Sequence, residues 1–266
     1  MREKCDLWIF PSQDTWSYIL PVPSLSVIHD LMHRYESRFP EVSSGLMFRQ
    51  REIHYANVCL NSTGILVDSD VGKMHVMESY KVDEKRIHVL PYTVPSYIEN
   101  EKNNSLDASH FDLPSKFFFY PAQFWKHKNH ERLIRVIGKL RLRIPDVKMV
   151  FAGSPKNAYA DAKNLVVTLG LSDHIAFLGY VPDDQMSSIY RRARALIMPT
   201  FFGPTNIPPL EAFFLACPVA ISNIYGMPAQ VGDAALLFDP ASEAEMADTM
   251  YRLWTDDELC DTLSKK

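Results

Sequence analysis

The sequence predicts an α/β protein built on doubly wound parallel sheets. Short apolar runs with no polar face, such as Ala195–Met198, suit parallel strands buried on both sides. These runs alternate with longer segments of helical pattern, the order that winds helices around a parallel sheet. The alternation breaks over residues 91–114, which hold Pro95 and the polar run ENEKNNSLDAS without an apolar period. That break reads as a connection between two domains. The predicted organisation is a first domain over 1–97, a linker over 98–115 and a second domain over 116–266.

In the first domain, DLWIFPS (residues 6–12) carries a strand that Pro11 ends, and Pro21 and Pro23 mark the connection to a second strand over 25–28. His29-Asp30 follows that strand directly. The next stretch is polar and helical in parts, with Arg34, Arg38, Arg49 and Arg51 on a surface open to solvent or to a partner. GILVDS (64–69) is the third strand, Asp70 starts a helix to residue 77, and the fourth strand covers 86–90.

The second domain opens with the buried strand FFFYPAQ, and the loop FWKHKNH leads into a helix over 129–143. VKMVFAG (147–153) closes on Gly153, where a missing Cβ lets backbone approach a ligand. A helix over 158–169 precedes a third strand over 174–178, which ends in Gly179-Tyr180-Val181-Pro182. Pro182-Asp183-Asp184-Gln185 starts the helix that leads to Ala195–Met198. After the loop FFGPTN, Thr205 or Asn206 caps an apolar helix over 207–217, whose first turn tolerates Pro208 and Pro209. CPVAIS and ALLFDP give the last two strands. Ser242 caps a final amphipathic helix, with Glu243, Glu245 and Asp248 toward its N-terminal end, that stops near residue 254.

Three positions carry chemistry. Glu211 is the one charge on the apolar helix, and a buried carboxylate is costly unless it is paired or hydrogen-bonded. It is either a structural group capped by loop amides or a grip on ligand hydroxyls beside a phosphate-facing helix end. Strand, polar loop and helix N-terminus together form the place where open α/β sheets bind nucleotides. Lys128 stands apart from its basic neighbours because it sits between strand end and helix start, where a cation and helix amides converge on a diphosphate. His29 is either structural, with Asp30 capping the following turn, or functional at a strand end.

PPLEA, CPVAIS and VGDAALLFDP, together with YPAQFWKHKNHERLI and SLSVIHD, resemble the retaining GT-B glycosyltransferases of family 4, the group 1 transferases. The resemblance runs from SLSVIHD to ALLFDP. It implies two Rossmann-like domains facing a cleft, the first incomplete here. It also implies metal-independent transfer of a sugar from a nucleotide-diphosphate sugar, with retention at the anomeric carbon. Glu211 matches the second of two family glutamates separated by seven residues, the one that holds the donor ribose. The first, aimed at the transferred sugar, falls on Gly203, a departure from the pattern. Lys128 matches the diphosphate-neutralising lysine, and Gln123 stands where an arginine is usual. The resemblance adds Gly153, Gly179, Gly203, Thr205, Asn206 and Ile207 to the donor site and places His29 beside the donor sugar as a catalytic residue with Glu211; His33 is a weaker candidate. Asp68-Ser69-Asp70 has the spacing of a metal motif, but it ends a strand and caps the next helix, so no metal site is assigned.

With 47% hydrophobic and 23% charged residues among 266, the chain has globular composition and room for a sizeable core. A net charge of -4 argues against a nucleic-acid partner. Cys5, Cys59, Cys217 and Cys260 show no C-x-x-C spacing and read as reduced thiols of a cytoplasmic protein. No stretch has the length of a membrane span, and MREKCDLWIF lacks a signal-peptide pattern. The expected partners are the nucleotide-sugar donor and a glycan or lipid-linked acceptor, with no cofactor. A peripheral contact at the inner membrane face is left open. Two further classes stay open, a non-catalytic nucleotide-sugar binder and another GT-B enzyme such as a phosphorylase or sugar-nucleotide epimerase. With four strands before the linker and no Gly-rich turn before Gly45, the chain reads as a fragment lacking the start of its first domain.

Overall fold

The computed structural model describes residues 5–12, 14–99 and 111–266. Most of the predicted linker, residues 100–110, lies outside them. The chain forms two compact units, the first made of Met1–Tyr92 with Phe202–Thr205 and the second of Thr93–Phe201 with Asn206–Lys266.

The first unit holds a parallel sheet of β1 (Trp8–Phe10), β2 (Ser24–Val27), β3 (Gly64–Val67) and β4 (Ile87–Val89), in the order β1-β2-β3-β4. Its registers set Ile9 against Leu25, Ser26 against Ile65 and Ile65 against Ile87. Ile65, Val67 and Ile87 pack with Tyr55 and Val58 of the helix Met47–Asn61 and Val76 of the helix Asp70–Tyr80. The latter helix begins where Ser69 accepts a hydrogen bond from the Gly72 amide at 3.0 Å, so Ser69 is the cap within Asp68-Ser69-Asp70. A short helix, Trp16–Ile19, lies in a stretch read from sequence as a connecting loop.

The second unit is a six-stranded parallel sheet of β5 (Phe118–Pro121), β6 (Met149–Ala152), β7 (Ile175–Phe177), β8 (Ala195–Met198), β9 (Val219–Ser222) and β10 (Ala235–Phe238). Their order is β10-β9-β8-β5-β6-β7, all neighbours parallel. Counted from β5 as the first, this is the Rossmann order, and it reverses between β5 and β8. Every residue of β6, β8 and β9 is buried, as expected for strands covered on both faces. The helix His130–Leu140 covers one face, burying Leu133, Ile134, Val136 and Ile137.

Two helices here go beyond the sequence reading. Met227–Val231 lies in a stretch whose Gly226 and Pro228 resemble a turn, but proline is tolerated in a first helical turn. Asp257–Ser264 follows the predicted last helix, and Asp256 caps it by accepting from the Leu259 amide at 2.8 Å. The helix over 207–217 is shorter than expected, Pro208–Phe214. No helix among the described residues is long and apolar enough to cross a membrane.

Candidate functional site

Open α/β sheets present ligands with a crevice at the carboxyl ends of the strands where the strand order reverses. In the second unit this places the loops after β5 and β8 side by side. After β5, Gln123 accepts from the Trp125 indole at 3.0 Å, and Lys126–Lys128 makes a single 3₁₀ turn. Asn129 then takes the left-handed conformation, φ 64°, which asparagine tolerates better than most residues, and the helix His130–Leu140 begins. The buried Asn129 side chain donates to the carbonyls of Pro199 at 3.0 Å and Pro240 at 2.9 Å, and accepts from Arg132 at 2.9 Å. The His127 carbonyl accepts the Phe201 amide at 2.8 Å, and the Lys128 carbonyl accepts the Tyr120 hydroxyl at 3.0 Å. Lys128 is therefore held, half-buried, where strand end meets helix start.

Gly153 meets the same loop and is bonded to Gly179. The Gly153 amide donates to the Gly179 carbonyl at 2.7 Å. Gly153 has φ +144°, and a Cβ there would stand 2.2 Å from the Ala122 carbonyl oxygen. A close approach that requires glycine is thus to Ala122-Gln123, the chain's own backbone.

The loop after β8 departs from expectation in its caps. Thr205 donates its amide to Asp68 Oδ2 at 3.0 Å and its hydroxyl to the same oxygen, within the first unit. Burial raises the Asp68 carboxyl above the ordinary range, and the Thr205 bonds oppose that shift. The Asn206 amide donates to Gln230 Oε1 at 3.0 Å, and Gln230 Nε2 returns a bond to the Asn206 carbonyl at 2.6 Å. Neither residue caps the next helix; Ile207, exposed, occupies the cap position without a side-chain bond. Gly203 has φ +101°, a conformation a glutamate would hold only under strain, so the backbone itself disfavours the family's first glutamate here.

Glu211 is buried, 5% exposed, and its partners are two phenols rather than the loop amides expected of a structural carboxylate. Tyr97, in the short helix Ser96–Glu99, donates to Oε1. Tyr190, in the helix Asp183–Arg192, donates to Oε2 at 2.7 Å. Burial, then the neighbouring carboxylate, raises both phenols well above their usual range, so both remain donors. Sequence reasoning missed these two residues; a tyrosine in a helical pattern carries no signal of its partner.

His29, in the first unit, follows β2. Its Nε2 donates to the Pro11 carbonyl at 3.0 Å, because that oxygen can only accept. Nδ1 therefore accepts from the Tyr92 hydroxyl at 2.8 Å. Burial pushes the Tyr92 phenol up to about 12. Asp30 accepts from the Met32 amide at 2.9 Å, the turn-capping role considered for it. His33 is fully buried against Glu52 at 2.6 Å, in a cluster with Arg34 and Tyr80. Among the described residues, no group of three or more His, Cys, Asp or Glu side chains is arranged to hold a metal ion.

Two parallel α/β units, the second in Rossmann order, define a GT-B fold. The profile of the family described as "Glycosyl transferases group 1" matches residues 101–266, more than half of the chain, and the chain belongs to that family. It is 24% identical over 272 residues to the mannosylfructose-phosphate synthase of Agrobacterium fabrum, covering 94% of this chain and 59% of that protein. A 66-residue stretch is 42% identical to the O-antigen chain mannosyltransferase B of Escherichia coli, 25% of this chain and 17% of that one. The chain thus spans little more than half the length of the first of these relatives. Among solved structures, Anabaena HepE in complex with UDP-glucose superposes with a TM-score of 0.76 at 16% identity, over 97% of this chain and 71% of that one.

Proposed function

We propose that this chain supplies the nucleotide-sugar site of a retaining, metal-independent transferase of family 4, which moves a hexose to a glycan or lipid-linked acceptor at the cytoplasmic side of the membrane. The observation that carries the proposal is the loop Lys126–Lys128 at the reversal of strand order, bonded through main chain to the loop after β8. A lysine held there, with the first amides of the eleven-residue helix His130–Leu140 behind it, suits a diphosphate leaving group. Gln123 contributes hydrogen bonding but no charge, which leaves Lys128 the larger share of neutralisation. Glu211 takes the ribose, and the family resemblance assigns His29 a part in transfer of the sugar. The relatives are consistent with this reading, being named as a sugar-phosphate synthase and a mannosyltransferase, with one structure holding UDP-glucose.

A panel of UDP, GDP and ADP beside their monophosphates tests the site, because a ligand that binds only the folded state raises the melting temperature. One diphosphate should stabilise the protein, and Lys128→Ala should weaken diphosphates far more than monophosphates. Equal losses for both would show that Lys128 does not meet the distal phosphate. A second reading, a non-catalytic nucleotide-sugar binder, is favoured by Gly203 in place of the family's sugar-facing glutamate. Sugar transfer from the donor that binds best would exclude it.

A further inference from the structure

We infer that Tyr97 and Tyr190 are positioning residues that fix the Glu211 carboxylate for the ribose diol of a nucleoside diphosphate. The inference rests on the donor-site reading above and extends it to residues that do not themselves touch the nucleotide.

A buried carboxylate is ordinarily matched by a cation or by several backbone amides. Among the described residues, Glu211 has neither; its partners are one phenol on each oxygen. An ionised carboxylate has about four lone-pair sites. Two are taken here, one per oxygen, from two separate helices, and one on each oxygen remains. A pair of adjacent acceptors on one planar group matches two hydroxyls on neighbouring carbons, which a ribose presents. Two neutral hydroxyl bonds only partly offset the loss of water around a charge, so the arrangement is more complete with a diol bound than without one.

The phenols also explain why the carboxylate would be ready for the diol. The last torsion of a glutamate is broad, and an unheld carboxylate samples many orientations. With Tyr97 on Oε1 and Tyr190 on Oε2, its plane is set from both sides. Tyr190 has a second acceptor nearby, the Pro208 carbonyl at 3.5 Å, but its single proton lies with Glu211 at 2.7 Å. Replacing either tyrosine by phenylalanine keeps the ring packing and removes only the donor.

The test is calorimetric titration of the wild type, Tyr97→Phe, Tyr190→Phe and Glu211→Ala with UDP and GDP, each beside its 2′-deoxy form. The wild type should prefer the ribonucleotide by about tenfold, the value of one hydrogen bond to a charged group. Each phenylalanine variant should lose most of that preference by weakening the ribonucleotide alone, with the 2′-deoxy form bound as before. If Glu211→Ala abolishes the preference while both phenylalanine variants retain it, Glu211 meets the ribose and the tyrosines are merely structural, which overturns the inference. If the wild type binds both forms alike, the ribose assignment falls and the inference with it. Melting curves run alongside separate folding from recognition. A variant that melts earlier yet keeps the wild-type preference counts against the inference, and each tyrosine tests it independently of the other.

Discussion

Asn129 donates to the carbonyl of Pro240, 111 residues away, at 2.9 Å, and the same amide group reaches Pro199 at 3.0 Å. One buried side chain thus joins the loop after β5 to those after β8 and β10. Asn129→Ala strands the buried Pro199 carbonyl, leaves the Pro240 carbonyl to Arg132 at 3.1 Å alone, and puts alanine, which tolerates a left-handed backbone less well than asparagine, at φ 64°, so urea denaturation should show a loss of about 1–3 kcal/mol. Asn129→Gly relieves the backbone and not the bonds, and should recover roughly 1 kcal/mol of that. Equal midpoints for all three proteins would show the joint to be unimportant.

Gly153→Ala should be nearly as damaging for a different reason. Its new methyl would meet the Ala122 carbonyl oxygen at 2.2 Å, on backbone with φ +144°. Neither the strand end nor the loop can yield without moving the other, so about 2–3 kcal/mol is expected from a thermal melt. A midpoint equal to the wild type would mean that the Ala122–Gln123 backbone gives way freely.

Acid should destabilise the second unit through His130. This ring is 1% exposed, stacked on Phe124 at 4.2 Å between centroids, with neither nitrogen hydrogen-bonded among the described residues. Burial lowers its pKa from 6.5 to about 3, outweighing the nearby Ala122 backbone, which favours the charged ring. The unfolded chain therefore takes up the proton first as pH falls. Stability is complete above 6.5 and is lost progressively between 6.5 and about 3. His130→Phe keeps the stack and removes the proton, so the slope of stability against pH should flatten by up to about 1.4 kcal/mol per pH unit in that window. His75, lowered by burial to about 4, leaves a residual slope in the first unit. Denaturation series in which variant and wild type run parallel would refute the assignment.

His29→Ala should reduce sugar transfer or donor hydrolysis while leaving nucleoside-diphosphate affinity unchanged. Its ring is fixed as the Nε2–H form by Pro11 and Tyr92, all within the first unit, whereas Lys128 and Glu211 belong to the second. Tyr92→Phe removes one of the two anchors and should lower turnover less than His29→Ala does. A loss of diphosphate affinity in His29→Ala would refute this division of roles.

The sequence alone was enough for the parallel α/β class, the strands near their true places and a buried carboxylate at Glu211. Those features are local. An apolar run without a polar face reports burial on both sides, and a lone charge within such a run reports a buried group that needs a partner. Which partner it finds is another matter. Tyr97 and Glu211 are 114 residues apart, and Thr205 and Asp68 are 137 apart. Thr205 and Asn206 look from the sequence like caps for the helix that follows, because a hydroxyl or amide before an apolar run usually serves the nearest free backbone amides. In the folded chain Asp68 and Gln230 hold them instead. The need for a hydrogen bond is written in residue type and burial; its fulfilment depends on which distant strands and helices the sheet order brings within 3 Å or so, and only the tertiary structure decides that.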